Sequence, residues 1–141
     1  MKVSMSNLAV KSTKTQIIKT LFEALESVPN SPIESSEKYV TFLTESAKFR
    51  FGNLDTLVGH KAIKDSLVDF CQQVKSIYHD IKEEWEIGDV VFLKMEVTYY
   101  RLDGIAVTLP VMDFIQFKGD LIQELQIFMD INPVFASLGK G

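Results

Sequence analysis

The sequence predicts an α+β domain in which N-terminal helices pack on the concave face of a curled, mainly antiparallel sheet. Three observations carry this. Apolar residues recur at helical spacing up to about residue 76, they alternate with polar residues beyond it, and tight turn signals rather than long crossovers join the alternating segments. Helices that precede such a meander cannot lie between its strands, so they cover one of its faces. With 141 residues, 46% of them hydrophobic, the chain holds one domain with a proper core and not two. We place that domain at residues 13–135, with 1–12 a flexible N-terminus and 136–141 a C-terminal tail.

The first helix begins at Thr13-Lys14-Thr15-Gln16, which has the T-x-x-Q form of a capping box. Ile17, Ile18, Leu21, Phe22, Leu25 and Val28 then follow at helical spacing until Pro29. Ser31-Pro32-Ile33-Glu34 starts a second helix, with Ser as cap, Pro in the first turn and Glu three residues after the cap, leading through Tyr39, Phe42 and Leu43. Residues 47–51 alternate as a short strand that stops at Gly52-Asn53. A third helix carries Ile63, Leu67, Phe70, Cys71 and Val74 on one apolar face.

The meander comes next. His79, Ile81, Glu83, Trp85 and Ile87 share one face of its first strand, which turns at Gly88-Asp89. Val91, Leu93, Met95, Val97 and Tyr99 form the apolar face of the second, with Lys94, Glu96, Thr98 and Tyr100 opposite. Asp103-Gly104 is a hairpin signal, and the strand after it sets Val107, Leu109, Val111, Asp113, Ile115 and Phe117 in one row. Asp113 is therefore expected inside, among apolar side chains. A carboxyl group in such a place is costly, and it is either hydrogen-bonded or chemically employed. Lys118-Gly119-Asp120 turns into a last strand over residues 121–130, and Asn132-Pro133 closes the fold.

Charge and composition exclude several functions. Charged residues make up 24% of the chain, the net charge is −4, and the basic residues are scattered apart from Lys2, Lys11, Lys14 and Lys19. A nucleic-acid platform needs a basic face with interleaved aromatics, so no nucleic-acid partner is expected. The first residues, MKVSMSNLAVKSTKTQ, lack the apolar run of a signal peptide, and no segment approaches the ~20 apolar residues of a membrane span. A soluble, cytoplasmic protein without a membrane partner is expected. The lone Cys71 permits no internal disulfide and reads as a small buried residue. His79, Glu83 and Asp130 share no metal-ligand spacing, and neither a phosphate-cradling glycine loop nor a nucleophile elbow is present. No metal and no cofactor are expected.

Four stretches carry a resemblance over about residues 13–135: Gly59-His60-Lys61-Ala62-Ile63, Asp103-Gly104, Asp113-Phe114-Ile115-Gln116-Phe117-Lys118-Gly119-Asp120-Leu121-Ile122, and Phe128-Met129-Asp130. In this order they resemble the nuclear transport factor 2-like, SnoaL-like superfamily, which includes ketosteroid isomerases, polyketide cyclases, limonene-epoxide hydrolases and many binding proteins. The resemblance implies a cone-shaped, cystatin-like half-barrel around an apolar pocket. It also implies a homodimer through the outer sheet face, where Phe92, Tyr100, Met112 and Phe114 would otherwise meet water. Asp113 falls where ketosteroid isomerases keep a protonated Asp that donates to an enolate oxygen. The rest of that set is missing, since no carboxylate stands around Phe49-Arg50-Phe51 and Leu21 or Phe22 lies where the partner Tyr would be. Met95, Val97 and Ile127 stand where the epoxide hydrolases carry Arg, Asp and Asp, so neither standard mechanism is expected.

The residues available for chemistry are then Asp113 and His79, with Glu83 along the same predicted face to orient the imidazole. Imidazole exchanges protons near neutral pH, and a desolvated carboxyl stays neutral enough to donate a hydrogen bond. The substrate-binding residues expected around this pair are Phe49, Phe51, Glu83, Trp85, Met95, Val97, Tyr99, Val111, Phe128 and Asp130. Together they suggest a SnoaL-like isomerase or cyclase acting by proton transfer on a hydrophobic carbonyl compound. The competing reading is a non-catalytic module that binds a small hydrophobic molecule or dimerises. In that reading His79 and Asp113 stand apart or satisfy each other.

Overall fold

The computed structural model describes residues 13–26 and 31–136. The expected flexible N-terminus, Val28, Pro29 and all of the tail except Ala136 lie outside the described residues. In chain order the elements are α1 (Thr13–Glu26), α2 (Pro32–Val40), β1 (Leu43–Phe51), β2 (Leu57–Val58) and α3 (His60–Cys71). The meander follows as β3 (Val74–Ile87), β4 (Val90–Arg101), β5 (Ala106–Lys118) and β6 (Leu121–Phe128), and the one-turn α4 (Asn132–Phe135) closes it.

A local signal explains the start of α2. The Ser31 hydroxyl accepts the Glu34 N–H at 3.1 Å, with Pro32 in the first turn, so α2 starts as its cap predicts. Its end corrects the sequence reading: α2 stops at Val40, and Leu43 opens β1. There the Phe42 carbonyl accepts the Ile122 N–H at 2.8 Å, so sheet pairing captures residues whose apolar spacing is compatible with a helix. Val74 is captured in the same way and pairs with Arg101 as the first residue of β3. At the other end of the chain Thr13 already lies within α1 rather than capping it, and the Thr15 hydroxyl donates to Glu84 at 2.7 Å. His60 is half-buried, with Nε2 2.9 Å from the Leu43 carbonyl, tying the start of α3 to β1.

The six strands form one mixed sheet in the order β2-β1-β6-β5-β4-β3, with β1 and β6 parallel and every other pair antiparallel. Helix α3 touches β1, β2 and also β3, which lies four strand positions from β1. In a flat sheet that gap would be about 19 Å, wider than one helix can bridge. The sheet therefore curls around the helices. Val91, Leu93, Met95, Val97 and Tyr99 line its concave face and are all nearly inaccessible, as are Val111, Ile115 and Phe117 on β5. Burial of each such aliphatic side chain contributes roughly 1.5–3 kcal/mol.

A bulge in β3 decides what the concave face carries. Upstream of it His79 pairs with Val97 and Ile81 with Met95; the register shifts between Ile81 and Glu83, and downstream Glu83 pairs with Lys94 and Trp85 with Phe92. One extra residue inverts the alternation. Glu83, Trp85 and Ile87, expected inside, therefore lie on the outer face, while Glu84 and Glu86 turn toward α1 and meet Thr15 and Lys14. Among the described residues no helix is long and apolar enough to cross a membrane.

Candidate active site

The concave face, the helices and α4 enclose a cavity of about 280 Å³. His79, Met95, Val97, Val111 and Asp113 all line it, as the alternation of β3, β4 and β5 predicts. Phe49, Phe51 and Tyr99 line it as well. Four expected binding residues do not. Glu83 and Trp85 are turned out by the bulge, and Trp85 is 43% exposed. Phe128 pairs with the outward Met112, so its neighbour Ile127, opposite Asp113, faces the cavity instead. Asp130 is exposed, and its Oδ1 accepts the Asn132 N–H at 3.0 Å, an Asx turn that fixes the entry to α4.

Asp113 is 3% exposed, and no hydrogen bond reaches its Oδ1. Desolvation pushes its pKa up to about 8. At neutral pH the group is mostly a neutral acid, able to donate into the cavity. It is not bonded to His79. Their partners on β4, Leu93 and Val97, stand four residues apart, about 13 Å along the strand. The two groups stand apart, one of the two arrangements expected of a non-catalytic module, and both line the same cavity.

His79 finds a different carboxylate. Glu26, at the C-terminal end of α1, places Oε2 2.9 Å from His79 Nδ1 and accepts the His79 backbone N–H at 2.8 Å. Phe22, one helical turn earlier, stacks on the imidazole with centroids 4.0 Å apart and planes 6° from parallel. An i, i+4 pair on one helix thus grips the ring from its face and its edge. Burial alone would raise the Glu26 pKa, but the hydrogen bonds from the His79 ring and backbone, with the imidazole charge, bring it below the ordinary carboxylate value. In the neutral tautomer that donates Nδ1–H to Glu26, Nε2 carries the lone pair. Glu83 plays no part.

Tyr39, from the helical run of α2, and Tyr99, expected around the site, both face the cavity. Burial pushes both phenols far above their ordinary range, and the nearby Asp113 carboxyl pushes in the same direction. They remain donors at all physiological pH values. Tyr99 Oη donates to Met129 Sδ at 3.1 Å. Tyr39, from α2, sets its phenol in the same cavity as Asp113. Nothing in its local sequence distinguishes it from a core tyrosine.

The mouth of the cavity is polar. Asp55, Ser66, Asp69 and Gln73 border it, and Phe135 of α4 closes over it against Phe51 and Phe70. Arg101 holds that segment by donating to the Pro133 and Ala136 carbonyls. Gly52 lets it approach, because a Cβ there would collide with Ile131. Burial raises the pKa of the Cys71 thiol and leaves it unreactive. Among the described residues no group of three His, Cys, Asp or Glu side chains is arranged to hold a metal ion.

Helices before a curled sheet, one apolar cavity and an inward Asp on the penultimate strand are what the resemblance implied. Residues 34–125 match the model of the SnoaL-like domain, about two thirds of the chain. The chain belongs to the SnoaL-like domain family. Solved structures similar to it have the same nuclear transport factor 2-like fold. One is a nuclear transport factor 2-like protein of unknown function from Burkholderia pseudomallei, with TM-score 0.73 and 12% identity over 90% of this chain and 100% of that one. Two are candidate SnoaL-like polyketide cyclases. The protein from Jannaschia sp. CCS1 has TM-score 0.73 and 12% identity over 94% of this chain and 98% of that one. That from Shewanella denitrificans has TM-score 0.72 and 13% identity over 86% and 93%. No curated protein matches the chain in sequence.

Proposed function

We propose that this SnoaL-like domain catalyses proton transfer on a hydrophobic carbonyl compound, as an isomerase or cyclase without a cofactor. The observation that carries this reading is Asp113, a buried carboxyl with an unpartnered oxygen on an apolar cavity. Such a group costs stability unless a ligand uses it. In the proposed reaction the substrate carbonyl accepts a hydrogen bond from neutral Asp113, with the Tyr39 hydroxyl as second donor. His79 Nε2 removes a proton from a carbon conjugated with that carbonyl and lying further along the cavity. The electron pair of the broken C–H bond moves into the enolate, whose oxygen the two donors stabilise. Return of the proton at another carbon completes an isomerisation, and attack of the enolate on a second carbonyl completes a cyclisation. Glu26 fixes the imidazole tautomer and stabilises the imidazolium that forms.

Exchange of γ-hydrogens for deuterium in a hydrophobic α,β-unsaturated ketone, followed by NMR in D2O, tests this reading. The parent should exchange faster than the buffer, and Asp113→Asn and His79→Gln should each lose most of that rate. Equal rates in all three would favour the alternative, a non-catalytic module that binds a small hydrophobic molecule.

We also propose a homodimer through the outer sheet face. Tyr78, Trp85, Tyr100, Met112 and Phe128 are each 38% to 52% exposed there. Trp85, Phe92 and Phe114 also stand in register across three strands, with the Phe92 and Phe114 rings 5.7 Å apart. A continuous aromatic band on a sheet face is better covered than hydrated.

A further inference from the structure

The charge of the cavity is lopsided. Asp55 and Asp69 stand at its mouth, while none of the described residues lining it is Lys or Arg. Neither mouth carboxylate takes part in a hydrogen bond or ion pair among the described residues. Arg50, the cation nearest in sequence to Asp55, spends its Nε on the Leu54 carbonyl at 2.9 Å. Arg101, beyond the mouth, is held by Asp103 and by the carbonyls of the α4 segment. The second feature is aromatic. Phe51, Phe70 and Phe135 meet edge to face in a closed triad, with centroids 5.5, 5.9 and 6.3 Å apart, and all three line the cavity beside those carboxylates.

Aromatic rings beside uncompensated carboxylates are the surroundings an organic ammonium ion favours, since ring faces and carboxylates both attract a cation whose carbon substituents bury apolar area. An anion would meet the repulsion of Asp55 and Asp69 there, with no Lys or Arg among the described lining residues to offset it. An independent observation marks the same cavity as a ligand site: Asp113, 3% exposed, with an oxygen no protein group reaches. We infer that the substrate is a hydrophobic carbonyl compound carrying a protonated amine at its trailing end, its carbonyl at Asp113 and its ammonium at the mouth among Asp55, Asp69 and the Phe51–Phe70–Phe135 triad. This rests on the reading of the cavity as the substrate site and adds the charge of the substrate to it. Carboxylate-bearing and phosphate-bearing analogues are refused on the same grounds.

The test uses acetylnaphthalene bearing a hydrogen, an aminomethyl group or a carboxylate on its far ring, each titrated into the full chain by calorimetry at neutral pH. The aminomethyl ketone should bind about fivefold to tenfold more tightly than the unsubstituted one, the sum of two exposed ion pairs and a cation–π contact. The carboxylate should bind at least as much more weakly. Asp55→Asn combined with Asp69→Asn, two surface changes, should bring amine and parent ketone within about twofold of each other and leave the parent ketone unaffected. Phe135→Leu should reduce the amine advantage more than the affinity for the parent ketone. Equal binding of all three probes, or an amine preference that survives the double substitution, overturns the charge selection and leaves the catalytic reading standing. Binding of none of the three removes both.

Discussion

Glu26 and His79 are joined twice, ring to carboxylate at 2.9 Å and backbone N–H to the same oxygen at 2.8 Å, so one side chain of α1 fixes both the rotamer and the strand position of the imidazole. Replacing it separates orientation from charge. Glu26→Gln keeps an acceptor and the geometry, so deuterium exchange in a bound ketone should fall about tenfold or more with little change in binding. Glu26→Ala strands the buried His79 N–H as well and should cost about 1–3 kcal/mol in a urea melt. An Ala variant as stable as the parent would show that the bond contributes nothing to folding.

The same pair sets an acid limit. Because the folded pKa of Glu26 lies below its ordinary value of 4.5, its bond stabilises the fold above that value, and the contribution is lost as pH falls through the folded pKa. Melts in acid should therefore show the parent losing more stability than Glu26→Gln. Parallel curves for the two proteins below about pH 5 would contradict this.

Asp113 gives the opposite slope. Its folded pKa, about 8, lies above the ordinary 3.8, so the folded state is favoured by protonation and stability is lost as pH rises from the lower value through the upper one. Asp113→Asn should abolish that slope while keeping a donor in the cavity. Asp113→Leu should leave stability unchanged or raise it by about 1–3 kcal/mol, because no protein partner is stranded at Oδ1. A Leu variant less stable than the parent would mean that the carboxyl has partners in solution, and its role as a free donor would have to be abandoned.

Tyr39→Phe removes one hydroxyl from the cavity and leaves the ring packed edge to face on Phe49 at 6.2 Å. Stability should change by less than about 1 kcal/mol, while turnover of an enolisable ketone falls about tenfold to a hundredfold. Unchanged turnover would assign the oxygen stabilisation to Asp113 alone.

The outer face predicts assembly. Light scattering should give a mass of two chains, and Phe114→Glu, which sets a charge in the aromatic band, should reduce it to one. A parent mass near one chain over a range of concentrations would remove the dimer.

The sequence by itself determined what depends on short-range alternation. The unbroken period of two along β4 and β5 is a property of the chain, so Met95, Val97, Val111 and Asp113 were legible as neighbours on one concave face. The Ser31 cap was legible because it joins residues three apart. Only the tertiary structure decided what depends on where distant segments meet. The bulge after Ile81 turns Glu83 and Trp85 outward, and no residue there announces it, since a bulge answers the curvature of the whole sheet. Glu26 reaches His79 across 53 residues of chain. The one local sign was an acidic residue near the C-terminal end of a helix, where the macrodipole favours a base. Tyr39 joined the site from the second helix, because a helical period assigns a side chain to the inside without saying whether packing or a cavity awaits it there.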